Sequence, residues 1–339
     1  MKILITGGCG FLGANLASYG ISHGYDVGVV DNFFRKGSEK NFKWLKSLGK
    51  FTFYNENISD YDSVKKILKA FKPDCIFHVA GQTAMATSIN NPRIDFEINC
   101  LGSFNVLEGI REIIPNSKII YSSSNKVYGD LNELHYIESD TRYICPEYPY
   151  GFDESVKLSY KTPYGISKGS ADSYFLEYSE IYDIQSIVFR HSSMYGDRQF
   201  ATNDQGWIGF FCDEAINFKK NSQKKPVEIF GNGKQVRDIL YSDDVVSLYY
   251  FALMKIDKSH DNVFNIGGGP DNSISLLELF NFLEEELKIE FKINKNEMRV
   301  SDQKVYISNI KKITNLISWK PEIKKFNGIK KMLEWSIRK

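Results

Sequence analysis

The sequence predicts an α/β fold built on a parallel sheet with helices on both faces. Three observations support this. Short apolar segments alternate with helical ones over the first half of the chain. A glycine-rich turn over Thr6–Gly13 (TGGCGFLG) follows the first apolar segment, and Tyr164 and Lys168 stand one helical turn apart. Together they favour a Rossmann-type, doubly wound sheet with a smaller, interleaved C-terminal substrate lobe.

Strands are predicted from runs rich in Ile, Val, Phe and Tyr that are bounded by Gly, Pro, Asn or Asp. In chain order these are residues 2–6, 25–31, 51–54, 74–80, 118–122, 185–190 and 263–266. Helices are predicted where apolar residues recur every three or four positions. These are residues 11–19, 61–71, 96–112, the segment with Tyr164 and Lys168, 243–256 and 275–287, with a loop leading into a helix over 200–218. Residues 231–233 predict a turn, and the basic stretch from Lys311 onward predicts no particular element.

The composition excludes several classes of protein. Among the 339 residues, 43 Lys and Arg balance 42 Asp and Glu, which argues against a nucleic-acid partner. The five cysteines are scattered without metal-ligand spacing, so we expect reduced thiols, no metal and a cytoplasmic protein. No apolar run approaches the about 20 residues that cross a bilayer. The N-terminus also lacks the pattern of a signal peptide, so no membrane contact is expected.

The glycine turn predicts a dinucleotide site. Its glycines are spaced GxxGxxG between a strand and a helix: Gly7, Gly10 and Gly13. Such spacing lets the backbone approach a pyrophosphate at the helix N-terminus. Asp31 ends the second strand, where an acid accepts hydrogen bonds from the ribose diol of NAD. Arg35 and Lys36 follow and would suit the extra phosphate of NADP, but the acid at the contact position favours NAD.

The spacing of Tyr164 and Lys168 predicts proton transfer. The two side chains share one helical face. A phenol ionises near pH ~10, and we expect the neighbouring ammonium to lower that pKa. Ser124, just past its strand, would hydrogen-bond the same substrate oxygen. Beside a nicotinamide, this set suits the transfer of a hydride to or from a carbinol carbon, with Tyr164 taking the hydroxyl proton. A surface Tyr/Lys pair is the plain alternative.

The strand–helix alternation is regular to about residue 185 and looser beyond it. We therefore predict an NAD-binding domain over residues 1–185, to which later segments, about 236–265, return. Residues 186–339 would mainly form the substrate lobe. No repeat, low-complexity segment or clean linker separates the two, which favours an interleaved arrangement.

With these motifs the chain resembles the extended short-chain dehydrogenase/reductase family that acts on nucleotide sugars. The shared motifs run nearly end to end: Thr6–Gly13, Asp31–Asn32, His78–Gly81, Asn99, Ser122–Ser124, Val127–Gly129, Tyr164–Lys168 and Arg190. Within that family the chain is similar to the CDP-tyvelose epimerase group. The segments that carry this likeness are residues 80–82, 87–89, 95–99, 124–130, 190–196, 198–202, 204–207, 231–238 and 301–303.

The resemblance implies an epimerase with tightly bound NAD that inverts carbon 2 of a CDP-hexose of the paratose/tyvelose type. The route would be transient oxidation to a 2-keto sugar, in the biosynthesis of deoxysugars and surface polysaccharides. The implied catalytic residues are Ser124, Tyr164 and Lys168. The cofactor contacts would be Gly7, Gly10, Phe11, Leu12, Gly13, Asp31, Asn32, Arg35, Lys36, Asn57, Ile58, Ala80, Gly81, Asn99, Ser122, Tyr164, Lys168 and His191. The substrate contacts would be Gln82, Ser88, Ser124, Asn125, Ser193, Gln205, Arg237, Arg299 and Asp302, and the guanidinium groups of the two arginines match a diphosphate.

Several alternatives stay open. The 4,6-dehydratases of the family place an Asp-Glu pair after the catalytic hydroxyl residue, where this chain has Asn125 and Lys126. A dehydratase is therefore not expected, unless Asp153 or Glu154 supplies the general acid. A 4-epimerase, a reductase that exchanges its cofactor, and an inactive nucleotide sensor or scaffold are the competing functions. The family pairs its subunits through helices near 102–112 and 168–182, which implies a homodimer or homotetramer. Residues 130–163 either cover the sugar or pack subunits.

Overall fold

The computed structural model describes residues 1–220, 225–255 and 263–339. Within these ranges the strands are β1 (Lys2–Thr6), β2 (Asp26–Val30), β3 (Thr52–Tyr54), β4 (Cys75–His78), β5 (Lys118–Ser124), β6 (Ile137–Glu138), β7 (Tyr143–Ile144), β8 (Ser186–His191), β9 (Ser193–Tyr195), β10 (Val227–Phe230), β11 (Val236–Tyr241), β12 (Val263–Ile266), β13 (Ser273–Ser275), β14 (Ile293–Asn296) and β15 (Val305–Tyr306).

The helices are α1 (Phe11–Ser22), α2 (Ser38–Leu48), α3 (Tyr61–Phe71), α4 (Met85–Asn90), α5 (Pro92–Asp95), α6 (Gly102–Ile113), α7 (Pro163–Tyr182), α8 (Trp207–Lys220), α9 (Ser242–Lys255), α10 (Leu276–Leu287), α11 (Lys311–Ile317) and α12 (Lys325–Arg338). A π-helical turn over Phe96–Leu101 joins α5 to α6, and short 3₁₀ turns span Asn125–Tyr128 and Pro270–Asn272.

Seven strands form the central parallel sheet, in the spatial order β12-β8-β5-β4-β1-β2-β3. The chain runs outward from β1 to β3 and then crosses to β4 on the other side of β1. Strand order therefore reverses between β1 and β4, and the crevice beyond the carboxyl ends of these strands is where such sheets bind ligands. The glycine turn follows β1, and Ala80 and Gly81 follow β4, so both lie at this crevice.

Apolar side chains bury both faces of this sheet. On one face α1 and α9 pack around Leu16, Val245 and Phe77, and the Tyr250 hydroxyl donates to the Leu16 carbonyl at 2.9 Å. On the other face α3, α6 and α7 contribute Ile67, Val106 and Phe175 to a second cluster. Tyr164 and Lys168, on α7, are thereby held rigidly against β5.

A second, smaller sheet lies in the C-terminal half. β11 pairs with β13 and β15 in the order β13-β11-β15, and β9 also pairs with β11. Helices α8, α10 and α12 cover this region through Phe211, Leu279 and Met332. Two strand pairs, β10 with β14 and β6 with β7, complete the sheets of the described residues.

The predicted elements of the first half are confirmed, with small shifts in their bounds. β1, α3 and β12 have the predicted bounds, and β5 extends two residues further, to Ser124. The predicted helix over 96–112 begins with the π-helical turn. α2, α12 and the small sheets were not predicted. The last residue of the helix predicted over 243–256 lies outside the described residues.

The predicted division into lobes stays a prediction. β8 and β12, which follow residue 185, complete the central sheet, whereas β11 belongs to the smaller sheet. All five cysteines are free thiols, and four of them are buried. No helix of the described ranges is long and apolar enough to span a bilayer.

Candidate active site

The glycine turn forms a tight backbone cradle. Gly7 has a left-handed backbone (φ +67°), and a Cβ atom there would lie 2.7 Å from the Ala80 Cα atom. A Cβ atom on Gly13 would lie 2.2 Å from the Gly7 carbonyl oxygen, and Gly10 is the N-cap of α1. These glycines therefore let the turn pack closely against the loop after β4 and against the first turn of α1. Such a turn can bring a pyrophosphate to the N-terminus of the helix.

A methyl group on Gly13 should destroy this cradle. The Gly13→Ala side chain would meet rigid backbone, the Gly7 oxygen at 2.2 Å and the Gly8 Cα atom at 2.6 Å. We expect the purified variant to lose its bound NAD, measured by absorbance and chromatography of the nucleotide released on acid denaturation. Gly209→Ala in α8 is the matched control, because its new methyl meets the flexible end of Met332. NAD retained in Gly13→Ala at the level of Gly209→Ala would contradict this assignment.

Asp31 lies at the end of β2, half-buried beside the cradle. Its carboxylate accepts backbone hydrogen bonds from Cys9 at 2.9 Å and from Phe33 at 2.8 Å. Burial raises the pKa of Asp31, and these N–H donors oppose that rise. Arg35 is also half-buried. Burial lowers the pKa of its guanidinium, and the charge of Tyr164 raises it. The guanidinium thus lies within electrostatic range of Tyr164, whereas Lys36 is exposed.

The other predicted cofactor residues line the same crevice or support it. Leu12 and Ile58 are buried, Phe11 packs against the core, and Asn32 is exposed. Asn57 is exposed and accepts the Ser59 backbone N–H at 3.0 Å. Asn99 is buried and holds the loop after Gly81, since its amide accepts the Gln82 N–H and donates to the Gln82 carbonyl, both at 2.9 Å.

His191 ends β8 opposite Ser124 in the sheet register. Its Nε2 atom lies 3.0 Å from the Tyr249 hydroxyl, and its Nδ1 atom is buried without a hydrogen-bond partner among the described residues. Burial, and secondarily the charge of Lys168, lower the pKa of His191 to about 3, so the imidazole is neutral. The buried, neutral ring borders the carboxyl ends of β5 and β8.

The three predicted catalytic residues, Ser124, Tyr164 and Lys168, are all less than one-tenth exposed. Thr162 caps α7, and its hydroxyl accepts the Gly165 N–H at 3.1 Å, which fixes the first turn that carries Tyr164. A hydrogen bond with Ser124 lowers the pKa of the Tyr164 phenol. The Lys168 ammonium donates to the Ser122 carbonyl at 2.5 Å. The three groups therefore surround the carboxyl end of β5.

The predicted lowering of the Tyr164 pKa by Lys168 is wrong for this structure. Burial raises the pKa of Tyr164 to about 12, Asp95 adds to the rise, and the opposing influences are Ser124 and Arg35. The lysine acts elsewhere because its ammonium is turned toward the Ser122 carbonyl and lies 4.5 Å from the Tyr121 ring centre. Burial also lowers the pKa of Lys168 to about 8.

A buried ion pair braces α7 against the sheet. Asp172, one turn beyond Lys168, receives two hydrogen bonds from Arg190 of β8, at 2.8 and 2.9 Å, and one from the Ser123 hydroxyl at 2.8 Å. Arg190 also donates to the Tyr128 hydroxyl at 3.0 Å. The pair thereby fixes α7, which carries Tyr164 and Lys168, against β5 and β8.

A second polar cluster joins the turn after Ser124 to the C-terminal lobe. Asn125 donates to the Gln303 side chain at 3.0 Å. The Asp302 carboxylate accepts from Arg237 at 2.6 Å and lies 3.6 Å from the Lys126 ammonium. Burial lowers the pKa of Lys126 to about 8, and the charge of Asp302 opposes this lowering. Two cations thus share the Asp302 carboxylate beside Ser124, and the carboxylate of Asp130 also raises the pKa of Lys126.

The remaining predicted substrate residues have these contacts. Arg299 donates to the Asn203 carbonyl at 2.8 Å and lies 4.3 Å above the Phe230 ring centre. Ser193 accepts from the Trp207 indole at 3.1 Å, and Gln205 forms a backbone bridge to Thr202. Gln82 and Ser88 are buried. The Gln82 side chain forms hydrogen bonds with Ala84 and Asp95. The Ser88 hydroxyl donates to the Met85 carbonyl. Their sugar contacts stay predictions.

Three residues of the site were not predicted. Asp172 had a usable signal, since it stands four residues after Lys168 on the same helical face. Asp95 likewise precedes Asn99 by four residues. Gln303 gave no signal beyond its neighbour Asp302, because its contact with Asn125 joins segments far apart in sequence.

The sequence pattern described as the NAD dependent epimerase/dehydratase family matches residues 3–267. The chain is 52% identical over 336 residues to the CDP-paratose 2-epimerase of Salmonella typhi, and the alignment covers 99% of both chains. It is 32% identical over 335 residues to a putative UDP-glucose 4-epimerase of Methanocaldococcus jannaschii, covering 98% of this chain and 97% of the relative.

Solved structures are similar over the whole chain. The UDP-glucose 4-epimerase of Thermotoga maritima with UDP-glucose superposes with a TM-score of 0.85 at 28% identity, covering 100% of this chain and 99% of that one. The UDP-glucuronic acid 4-epimerase of Bacillus cereus, in complex with UDP-glucuronic acid and NAD, gives a TM-score of 0.84 at 24% identity with the same coverage. The second likeness shows the fold alone.

Proposed function

The chain belongs to the NAD-dependent epimerase/dehydratase family, and on that premise we propose that it inverts carbon 2 of a CDP-linked hexose. The inversion would proceed by transient oxidation of that carbon to a ketone and its re-reduction. The observation that carries the proposal is 52% identity over 99% of both chains to a CDP-paratose 2-epimerase. The three residues that the proposal uses are present: Tyr164 has a hydrogen bond with Ser124, and Lys168 donates to the Ser122 carbonyl.

The cofactor is NAD, and the residues present fit it. The glycine cradle fits the pyrophosphate, and the half-buried carboxylate of Asp31 stands where the ribose diol would be held. The carboxylate would repel the extra phosphate of NADP. Lys168 and the polar ends of β4 and β5 would hold the nicotinamide riboside. Bound NAD supplies a hydride acceptor and, once reduced, a hydride donor for the same carbon.

The chain's own residues manage the proton. Tyr164 is buried in a water-poor site. In its phenolate form, its Oη atom would take the proton of the sugar hydroxyl and later return it to the same oxygen. Ser124 would donate a hydrogen bond to the same sugar oxygen and so hold it beside the phenol. The Lys168 ammonium is held by its hydrogen bond to the Ser122 carbonyl and would keep a positive charge near Ser124 and Tyr164. Because the proton and the hydride both return, the net redox change is zero.

The residues after Ser124 support epimerisation over dehydration. Asn125 is an amide bonded to Gln303, and Lys126 is an ammonium beside Asp302, so this turn offers no carboxyl group for the expulsion of water. Arg237 pairs with Asp302, and Arg299 with Asp204. With a diphosphate bound, the two guanidinium groups would act as its ligands. That role of the two arginines is part of the proposal.

The test is NMR of the products formed from a small panel of CDP-, UDP- and GDP-hexoses, with no cofactor added. The proposal predicts inversion at carbon 2, with the CDP-sugar the best substrate. Inversion at carbon 4 of a UDP-sugar would replace it with a 4-epimerase. A product that forms only after NADH is added, with oxidation of that NADH, would replace it with a reductase. These outcomes separate the three enzymatic alternatives in one experiment.

We further propose that the subunits pair through α6 and α7. The exposed face of α7 carries large apolar side chains: Ile166, Tyr174, Ile181 and Tyr182. Such a patch is typical of a subunit interface. Light scattering after size exclusion should give the mass of a dimer or tetramer, and a monomer would contradict the pairing. A cytoplasmic location stays a prediction from the free thiols.

A further inference from the structure

Asp95 is a fully buried carboxylate close to the catalytic pair but outside the predicted site. It ends α5, directly before the π-helical turn. Its Oδ1 atom accepts from Gln82 at 2.8 Å and from Asn99 at 3.1 Å, and its Oδ2 atom accepts from the Ser167 hydroxyl at 2.5 Å. Side-chain amide N–H groups can only donate, so they fix Oδ1 as an acceptor. The carboxylate is thus solvated by neutral protein groups.

Asp95 differs in this respect from Asp172, the other acid near Lys168. Asp172 shares its charge with Arg190 through two hydrogen bonds. The three hydrogen-bond partners of Asp95 are all neutral, so its charge acts through space. The charge of Asp95 raises the pKa of both Lys168 and Tyr164. In a low-dielectric interior, a charge of this kind has a long reach.

The bonds of Asp95 also connect it to the catalytic backbone. Ser167 directly precedes Lys168 on α7, so the bond from Ser167 fixes the turn between the two catalytic residues. Asn99 ties the same carboxylate to the loop at Gly81, where a Cβ atom would lie 3.5 Å from the Lys168 ammonium. The carboxylate therefore has a fixed position relative to both reacting side chains.

We propose that Asp95 is a positioning residue whose buried charge tunes proton transfer at Tyr164 and Lys168. The charge favours the ammonium form of Lys168 and disfavours the phenolate form of Tyr164, so Asp95 sets the pH above which the phenolate that accepts the sugar proton is formed. The inference deepens the proposed function and rests on it for the identity of that hydroxyl. Asp95 itself touches neither reacting atom.

The other charged and titratable groups near the pair act differently. Arg35 lowers the pKa of Tyr164, and Asp172 raises that of Lys168. His78 and His191 are neutral, because burial lowers the pKa of each to about 3. Tyr121, under the Lys168 ammonium, has its pKa raised well above the usual value by burial. Among these groups Asp95 is the one that raises the pKa of both catalytic residues.

The test measures the ionisation of Tyr164 directly. The near-ultraviolet absorbance of tyrosinate is recorded against pH for the purified holoenzyme and its Tyr164→Phe variant, and their difference isolates one phenol among the 20 tyrosines. The same difference is taken in an Asp95→Asn background. Removal of a like charge should move the Tyr164 midpoint to lower pH by about one unit. This readout needs no substrate, so it still stands if the proposed reaction is wrong.

Ser167→Ala is the matched control, since it removes a hydrogen bond but keeps the charge. Its midpoint should stay within about 0.3 units of the wild type, because the pKa shift comes from the charge. An unchanged midpoint in Asp95→Asn, or an equal shift in Ser167→Ala, would overturn the proposal. If Asp95→Asn does not fold, Asp95→Ser removes the same charge and is judged by the same criterion. With a substrate in hand, the acid limb of kcat/KM should move in the same direction.

Discussion

Replacing Tyr164 by phenylalanine should lower kcat by between about 100-fold and 10,000-fold, the usual contribution of a positioned proton-transfer group. The ring keeps its packing in the buried site, and only the hydroxyl beside Ser124 is lost. The variant should therefore fold and carry NAD like the wild type. The measurement is the rate of epimer formation by NMR, with the released nucleotide quantified in the same preparation.

Tyr174→Phe is the matched control for this variant. Tyr174 lies on the same helix, α7, and is 43% exposed. The loss of its hydroxyl should leave kcat within about twofold of the wild type, because phenylalanine keeps the ring that would pack at the proposed subunit interface. If Tyr164→Phe kept a comparable rate, another group would have to move the proton, and the assignment of Tyr164 would be wrong.

The second large effect is on stability. Asp172→Ala should lower the free energy of unfolding by about 3–5 kcal/mol, because it leaves the Arg190 guanidinium buried without its anion. The two side chains are 1% and 5% exposed, and their two hydrogen bonds are 2.8 and 2.9 Å long. The measurement is urea unfolding followed by tryptophan fluorescence. Activity should fall as well, since Asp172 orients α7.

Glu286→Ala provides the control for an exposed pair. Glu286 pairs with Lys330 at 2.7 Å, but the side chains are 33% and 50% exposed, so the loss should stay at or below about 1 kcal/mol. The double variant Asp172→Leu/Arg190→Met should recover part of the stability, because it removes both buried charges together. Equal losses for Asp172→Ala and Glu286→Ala would contradict the view that Arg190 depends on its buried partner.

The central sheet was predictable because its signals are local. β1 contains the apolar run Ile3–Ile5, three of the four residues of β12 are apolar, and α3 repeats apolar residues at helical spacing. The glycine turn and the Tyr164/Lys168 pair were predictable for the same reason, since each lies within one short segment. Family likeness added the substrate class, which no local pattern encodes.

The missed elements lack such signals or carry them weakly. α2 buries only one apolar residue, Leu45, and begins after a left-handed glycine, Gly37, without a side-chain cap. The strands of the smaller sheet are short, and their partners come from distant segments, as in the pairing of Ile239 with Ser193. α12 did have the helical spacing of buried residues, obscured by the lysines between them.

The site itself shows the same limit. The sequence predicts that Lys168 lowers the pKa of Tyr164, but it does not predict where the ammonium points. The direction of a flexible side chain depends on tertiary contacts. The Ser122 carbonyl decides that direction. The roles of Asp95 and Gln303 likewise follow from contacts between α5, α7 and the C-terminal lobe, which only the folded chain brings together.

The most direct test of the account follows the hydrogen at carbon 2. A CDP-hexose deuterated at that carbon is converted in ordinary water, and the unlabelled sugar is converted in D₂O, each followed by NMR. The account predicts that the deuterium stays at carbon 2 through the inversion and that no carbon–deuterium bond forms there from D₂O. Loss of the label, or solvent deuterium at carbon 2, would show proton abstraction in place of hydride return and contradict the account.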